Sequence, residues 1–405
     1  MKNVLYLSYD GMTDPLGQSQ VLPYLIGLSK KGFHFTLISF EKSDRYSQEK
    51  GKIEILCIEH NILWKPLVYT KNPPVLSTIL DIRRMRKLAF ELHREKQFQL
   101  VHCRSYISAL AGLKLKREKG VRMLFDMRGF WADERVEGKI WNLKNPLFKV
   151  IYSYFKKMER RYFEESDAIV SLTEIGKKEI LSWNLKGVTH EKIQVIPCCV
   201  DLNLFDPKKT DSDSLQIKKS EYHLTGKYIV GYVGSIGTWY QLREMLLAFK
   251  HITHLKPNAV FLFLTRESPA AIQQEARELD IDPDSIRIVS VQHQKVPAYI
   301  SLFDCSIFFI RPSFSKKASS PTKQGEIMAM GIPLICNAGV GDTDEIVQRY
   351  NAGLILKDTS ENSLSSFSLD FPGFTPEKAT TGASDYFSLE KGVAGYFSVY
   401  DRFIG

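Results

Sequence analysis

The chain has few cysteines, six in 405 residues, and no two of them stand at C-x-x-C spacing. Cys57, Cys103, Cys198, Cys199, Cys305 and Cys336 fall mostly inside apolar runs. This argues against a disulfide framework or a cysteine-ligated zinc, and for buried free thiols in a reducing compartment. No window approaches the roughly 20 consecutive apolar residues of a membrane-spanning helix. The amino terminus has too short an apolar run, and no small-residue cleavage site, for a secretory signal. A cytoplasmic protein is expected, with peripheral contact at the inner face of a membrane left open. There is no H-E-x-x-H, no G-x-S-x-G, and no Asp-x-Asp at a plausible strand end, so metal-assisted hydrolysis and serine-nucleophile chemistry find no support.

What is present exceeds one hydrophobic core, since cores stop growing near roughly 250 to 300 residues. Hydrophobic and charged contents of 44% and 25% are ordinary for a globular protein. The net charge of +9 suggests an anionic partner: a phosphorylated ligand, an acidic membrane surface or a nucleic acid. Short β-branched or aromatic runs alternate with stretches of helical period. In the first half these are Val4 to Ser8, Phe35 to Phe40, Lys52 to Cys57, Leu100 to Cys103, Arg122 to Asp126, Ala168 to Leu172 and Ile193 to Ile196. A second set begins at Ile229 to Val233 and ends at Gly353 to Leu356. This βα succession predicts two tandem parallel sheets covered on both faces. The polar segment Asp201 to Lys227 reads as a linker with a short irregular helix, which puts the boundary near residue 205. Residues 357–381 read as a long loop, and 384–403 as a final helix.

Four segments carry candidate chemistry. After the first strand, Gly17 and Gln18 precede a helix expected from about Val21 to Lys31. The glycine suits either close approach of a ligand or a tight structural turn; the spacing is not G-x-G-x-x-G, and no acidic residue closes the second strand, Phe35 to Phe40, cleanly, so a dinucleotide site finds little support. Asp126-Met127-Arg128-Gly129-Phe130-Trp131-Ala132-Asp133-Glu134 puts a cation, carboxylates and aromatics at a strand's carboxyl end, where open α/β sheets bind ligands. There Arg128 suits a phosphate or carboxylate, or else pairs with Asp133 or Glu134. In the second half, Gly231 to Tyr240 is again strand, glycine turn and helix. Gly234 and Gly237 would let the main chain approach a diphosphate, and Ser235 and Thr238 would donate to it. Ser320-Pro321-Thr322-Lys323-Gln324-Gly325-Glu326 through Gly331-Ile332-Pro333 follows a strand-like run, Cys305 to Ile310, with a polar turn and a helix. Its free N-H groups and Lys323 suit a phosphate, and Glu326 suits ribose hydroxyls. His102, Arg104, Arg266 and Arg311 stand at or just past strand ends. A basic stretch around Arg83, Arg84, Arg86 and Lys87, with Leu76, Ile79, Leu80, Leu88 and Leu92, suits either a solvated surface helix or an anionic lipid surface.

Ile196-Pro197-Cys198-Cys199-Val200-Asp201 through Phe205, together with Glu326-x-Met-Ala-x-Gly-x-Pro333, resembles the family 4 glycosyltransferases of the GT-B fold, over nearly the whole chain. Asp126 to Glu134 also looks like the Arg-Asp-Leu-Trp-Pro-Glu segment of some bacterial members. The resemblance implies an α/β architecture of two Rossmann-like doubly wound domains with an interdomain cleft. It implies an acceptor domain over 1–205, a nucleotide-sugar domain over 206–383, and a helix over 384–405 crossing back to the first. It further implies metal-independent, retaining hexosyl transfer from a nucleoside-diphosphate sugar to a saccharide or lipid-linked acceptor in surface polysaccharide biosynthesis. No cofactor and no nucleic acid partner are implied. Arg128 and Lys323 become the expected catalytic residues. Gly17, Gln18, Asp126, Gly234, Ser235, Thr238, Arg311, Ser320, Thr322 and Glu326 are expected to bind substrate.

Three positions depart from the family pattern. Ala318 replaces the first of its paired glutamates. Ser235, with Trp239 or Tyr240, replaces its Gly-Arg-x-x-x-x-Lys diphosphate clamp, and Cys198-Cys199 replaces Asn-Gly. Lys323 and Arg311 are the cations available to stand in for the clamp. Alternatives on the same fold are a nucleotide- or sugar-binding protein without turnover, and a sugar-nucleotide epimerase.

Overall fold

The computed structural model describes residues 2–404, which form two compact units. The first comprises residues 2–197, 317–319 and 389–404; the second comprises 198–316 and 320–388.

The sheet of the first unit is built from β1 (Lys2–Ser8), β2 (Phe33–Glu41), β3 (Leu63–Val68), β4 (Leu100–Arg104), β5 (Arg122–Asp126), β6 (Ala168–Ser171) and β7 (Ile193–Val195). All pairings are parallel, in the order β3-β2-β1-β4-β5-β6-β7. Central strands are covered on both faces, so β1 and β4 are near-continuous apolar runs with Val4, Leu5, Leu7, Leu100 and Val101 fully buried. The edge strand β3 is half exposed and tolerates Pro66. The closing helix, Leu389–Ile404, belongs to this unit: Val393 sits against Gly27, and Tyr400 meets Phe33 edge-on at 5.1 Å.

The second unit contains β8 (Tyr228–Val233), β9 (Ala259–Leu264), β10 (Ile286–Val289), β11 (Cys305–Phe308), β12 (Leu334–Asn337) and β13 (Gly353–Leu356). They form a parallel sheet in the order β10-β9-β8-β11-β12-β13. Each sheet reverses its order once, between β1 and β4 and between β8 and β11. In open α/β sheets, ligands bind where the loops leave the carboxyl ends of the strands at such a reversal.

Some elements differ from the sequence expectation. Lys52 to Cys57 is helix, within Ser43–Glu59, and the strand lies later at β3. Its alternating Ile53, Ile55 and Cys57 imitate a strand, but Ile53 and Cys57, four residues apart, are the pair buried, while Ile55 is 60% exposed. The helix expected from Val21 to Lys31 is two, Pro15–Gln20 and Leu22–Ser29, each with a proline in its first turn. The 357–381 loop contains helices at Glu361–Ser366 and Pro376–Gly382, capped by Ser360 and Thr375. The linker's helix is regular, Ser212–Glu221, capped by Asp211.

Candidate functional site

At the β8/β11 divergence of the second unit, the chain leaves β8 through Gly234 at φ 106°, a conformation that favours glycine. A methyl built there would lie 3.5 Å from the Lys323 ammonium, so turn and cation adjoin. Lys323 stands in the first turn of the Thr322–Ala329 helix, which no N-cap side chain closes. Only 6% exposed, it donates to the Tyr232 hydroxyl at 2.8 Å and lies 3.9 Å from the Tyr232 ring centroid and 3.6 Å from that of Tyr240. Desolvation holds its pKa well below the ordinary lysine value, against the pull of Glu326 and Glu267. A buried ammonium among rings beside a helix N-terminus without a side-chain cap is an arrangement that suits an anion.

Two more cations share this edge. Lys316, 5% exposed, has its Nζ 3.7 Å from the Trp239 ring centroid, and the Arg311 guanidinium lies 5.3 Å from the same ring. The Arg311 N-H donates to the Trp239 carbonyl at 2.9 Å, and Tyr240 bridges to Ile310. The 234–241 loop, which has no cation of its own, thus carries aromatic faces on which the cations of the loop after β11 rest. Sequence reasoning named Lys323 and Arg311 but missed Lys316, Tyr232 and their cage; an aromatic inside a strand run looks like core.

Glu326 lies on the same helix, with Oε1 3.3 Å from His293 Nε2, past the end of β10. Ser320 is committed elsewhere, accepting from the Cys198 N-H at 3.1 Å. Ser235 and Thr238 are exposed, and the Ser235 carbonyl accepts the Tyr232 hydroxyl. The Ile236 N-H donates to Glu267 Oε1 at 3.0 Å, which fixes the turn. Lys323, Gly234, Thr322 and Glu326 thus fall at one sheet edge, with Arg311 held on the aromatic face of the adjoining loop.

In the first unit the β1/β4 divergence gathers a different set. Asp126, fully buried, accepts from the Tyr396 hydroxyl at 3.0 Å and lies 3.4 Å from His102 Nε2 and 3.8 Å from an Arg128 nitrogen. Burial pushes its pKa up, but Arg128, His102 and Arg104 outweigh this and hold the carboxyl below the usual aspartate value. His102 is held below its ordinary value by desolvation, and its Nδ1 lies 2.6 Å from the Tyr400 hydroxyl. Arg104 is 4% exposed, donates from Nε to Asp10 at 3.2 Å, and has one terminal nitrogen without a hydrogen-bond partner. Arg128 takes φ 58° at the end of this strand. Asp133 pairs with Lys156 at 2.7 Å and Tyr152 at 2.8 Å, not with Arg128.

Gly17 packs within its own loop: a methyl there would lie 2.2 Å from the Gly11 carbonyl oxygen. Gln18 donates to the Thr13 carbonyl at 3.2 Å. The second strand does end in an acid, Glu41, which sequence reasoning passed over. Its carboxylate accepts from the Met12 and Thr13 N-H groups, the Thr13 hydroxyl and the Ser39 hydroxyl, and so holds the loop after β1. Ala318 is fully buried against Gly176, which leaves no room for a glutamate side chain at that position. Among the described residues no group of three or more His, Cys, Asp and Glu side chains is arranged to hold a metal ion, and no helix is long and apolar enough to cross a membrane.

The profile of Glycosyltransferase Family 4 matches residues 21–204, and that of Glycosyl transferases group 1 matches residues 213–366. No curated protein matches the chain in sequence. Among solved structures, sucrose-phosphate synthase from Thermosynechococcus elongatus is similar with a TM-score of 0.74 at 15% identity, covering 99% of both chains. Anabaena HepE in complex with UDP and glucose gives 0.70 at 11% identity, with 99% of both chains covered. UDP-GlcNAc 2-epimerase from Neisseria meningitidis, bound to UDP-GlcNAc, gives 0.59 at 11%, covering 99% of this chain and 100% of the other.

Proposed function

Because the chain is a GT-B-fold glycosyltransferase superfamily protein, with a family 4-like amino-terminal domain and a group 1-like carboxyl-terminal domain, we propose that it transfers a sugar from a nucleoside-diphosphate sugar to a saccharide or lipid-linked acceptor. The reading extends to retention of anomeric configuration, and to a role in surface polysaccharide assembly at the inner face of a membrane. The observation that carries it is Lys323, a buried ammonium caged by Tyr232 and Tyr240 beside the Gly234 turn.

In the reaction the bond from the anomeric carbon to the diphosphate oxygen breaks, and a bond to the acceptor hydroxyl oxygen forms. The hydroxyl proton leaves with the nucleoside diphosphate. Negative charge grows on the departing diphosphate, and donors fixed beside it lower the barrier. Lys323 is the full charge in this role, with Arg311 and Lys316 behind it on the Trp239 face and the N-H groups at Thr322 adding partial charge. This transposes the clamp: cations lost from the loop after β8 are supplied by the loop after β11. Glu326, oriented by His293, would accept from the ribose hydroxyls. Asp126, Arg104 and Arg128 would hold the acceptor on the first unit.

HepE and the epimerase are both described with a uridine nucleotide, which makes UDP-sugars the first donors to try. Thermal-shift screening against UDP-, GDP-, ADP- and CMP-sugars tests the donor side, since a ligand that binds only folded protein raises its melting temperature. Stabilisation by one nucleotide class, lost in Lys323→Met, is expected; no stabilisation by any of them contradicts the reading. An epimerase would return isomerised donor in the absence of acceptor.

A further inference from the structure

In the second unit, sheet-like hydrogen bonding continues past the end of β11. The segment Trp239 to Gln241 folds back from the loop after β8 and runs antiparallel to the chain leaving β11, with Tyr240 opposite Ile310. The Arg311 N-H donates to the Trp239 carbonyl at 2.9 Å, and the Gln241 N-H to the Phe309 carbonyl at 3.0 Å. Main-chain groups of successive residues in an extended segment point to opposite sides, so those of Ile310 face the other way, toward β12. The β11/β12 ladder has already ended there: its last pair is Phe308 with Cys336, and the next residue of β12, Asn337, has its main chain paired with Leu356 of β13.

The Asn337 side chain takes the place of the missing peptide. Its Oδ1 accepts from the Ile310 N-H at 2.8 Å, and its Nδ2 donates to the Ile310 carbonyl at 2.9 Å and to the Ala338 carbonyl at 2.9 Å. One N-H and two carbonyls around the amide fix which end is oxygen. Asn337 is 2% exposed and Ile310 4%, so these bonds form away from water. An amide offers donor and acceptor in peptide geometry. A hydroxyl, a carboxylate or an alkyl group in its place would leave at least one main-chain group of Ile310 buried without that partner.

Ile310 is thus gripped from both sides, and the register of this grip sets the cation site. The Tyr240 ring centroid lies 3.6 Å from the Lys323 ammonium, and the Trp239 ring faces Arg311 and Lys316. We propose that Asn337 is a positioning residue for the diphosphate: it fixes the chain at the end of β11, and through it the two aromatic faces on which the three cations rest. The inference rests on the reading of a nucleoside diphosphate held beside Lys323.

The test is titration of UDP into the full chain, Asn337→Ser and Asn337→Leu, with hydrogen exchange followed in the peptides that contain Gln241 and Arg311. Each variant should weaken UDP binding about tenfold and speed exchange in those peptides. Should Asn337→Leu fail to fold, Asn337→Ser, which admits water to Ile310, still reads the effect. A buried amide that only satisfied its neighbours would cost stability alone. The control is therefore Ile272→Val, a core change in the same unit, which should lower the melting temperature and leave UDP affinity at the parent value. In a Tyr240→Leu background, Asn337→Ser should add about twofold at most, because the two substitutions act on one contact. Unchanged UDP affinity in a folded Asn337 variant, losses that add in full, affinity loss without faster exchange, or an equal affinity loss in Ile272→Val would each overturn the proposal. Faster exchange in the variants of a parent that binds none of UDP, GDP and ADP would uphold the clamp on the loop and remove the donor reading.

Discussion

Replacing Lys323 with methionine should move ligand affinity and ligand-free stability in opposite directions. The ammonium is buried; its contacts are one hydroxyl and two rings, and Glu326 and Glu267 act on it from beyond hydrogen-bond contact. Methionine keeps most of the volume and removes a charge whose desolvation these contacts only partly offset, so a gain of about 1 kcal/mol, or roughly 2–4 °C in Tm, is expected without ligand. With nucleoside diphosphate bound, the same substitution leaves a buried anion short of its partner. That costs about 2–5 kcal/mol, or roughly 30- to 5,000-fold in Kd. The proton balance gives a second reading. Between the depressed folded pKa and the ordinary lysine value the unfolded chain binds more protons, so stability rises with pH across that window, and methionine removes the slope. A bound diphosphate draws the proton back, so affinity falls as pH rises through the pKa of the free protein. Isothermal titration of UDP over a series of pH values below the ordinary lysine value, in buffers of different ionisation enthalpy, should show proton uptake that grows with pH in the parent and is missing in Lys323→Met. A variant with lowered Tm, unchanged Kd and unchanged proton uptake would refute the reasoning.

Three further outcomes follow from the geometry. Glu326→Ala, which removes the carboxylate beside His293, should weaken nucleoside-diphosphate binding about tenfold with little change in melting temperature, as measured by titration. Asp126→Asn should lower the transfer rate at least tenfold while UDP affinity stays at the parent value, because Asp126 lies in the first unit; a parallel loss of UDP affinity would contradict the assignment. Gly17→Ala drives a methyl to 2.2 Å from the Gly11 carbonyl oxygen and should destabilise the protein by about 2 kcal/mol or more in denaturant unfolding, whereas the exposed Gly51→Ala should not.

Much of the fold was legible because buried parallel strands are nearly continuous apolar runs, and twelve of the thirteen were located from them. The exception, Lys52 to Cys57, shows the limit: its period was that of a strand, and packing of one helical face decided otherwise. Lys323, Glu326 and Gly234 could be named from sequence because a strand, a turn and a helix start adjoin in the chain. The aromatic cage could not, since Tyr232, Tyr240 and Lys323 become neighbours only when β8 and β11 pair. His293 was hidden for the same reason, arriving at Glu326 from the end of β10. Glu41 was overlooked although it closes its strand, because the loop it satisfies lies twenty-eight residues earlier.

The central claim, sugar transfer out of a diphosphate held by Lys323, is tested most directly by following a UDP-sugar by ³¹P NMR, with and without a lipid-linked saccharide extract from the cells that make the protein. The account predicts that free UDP appears only with the extract, and not with Lys323→Met. An isomerised UDP-sugar formed without acceptor, or UDP release that Lys323→Met leaves unchanged, would contradict it.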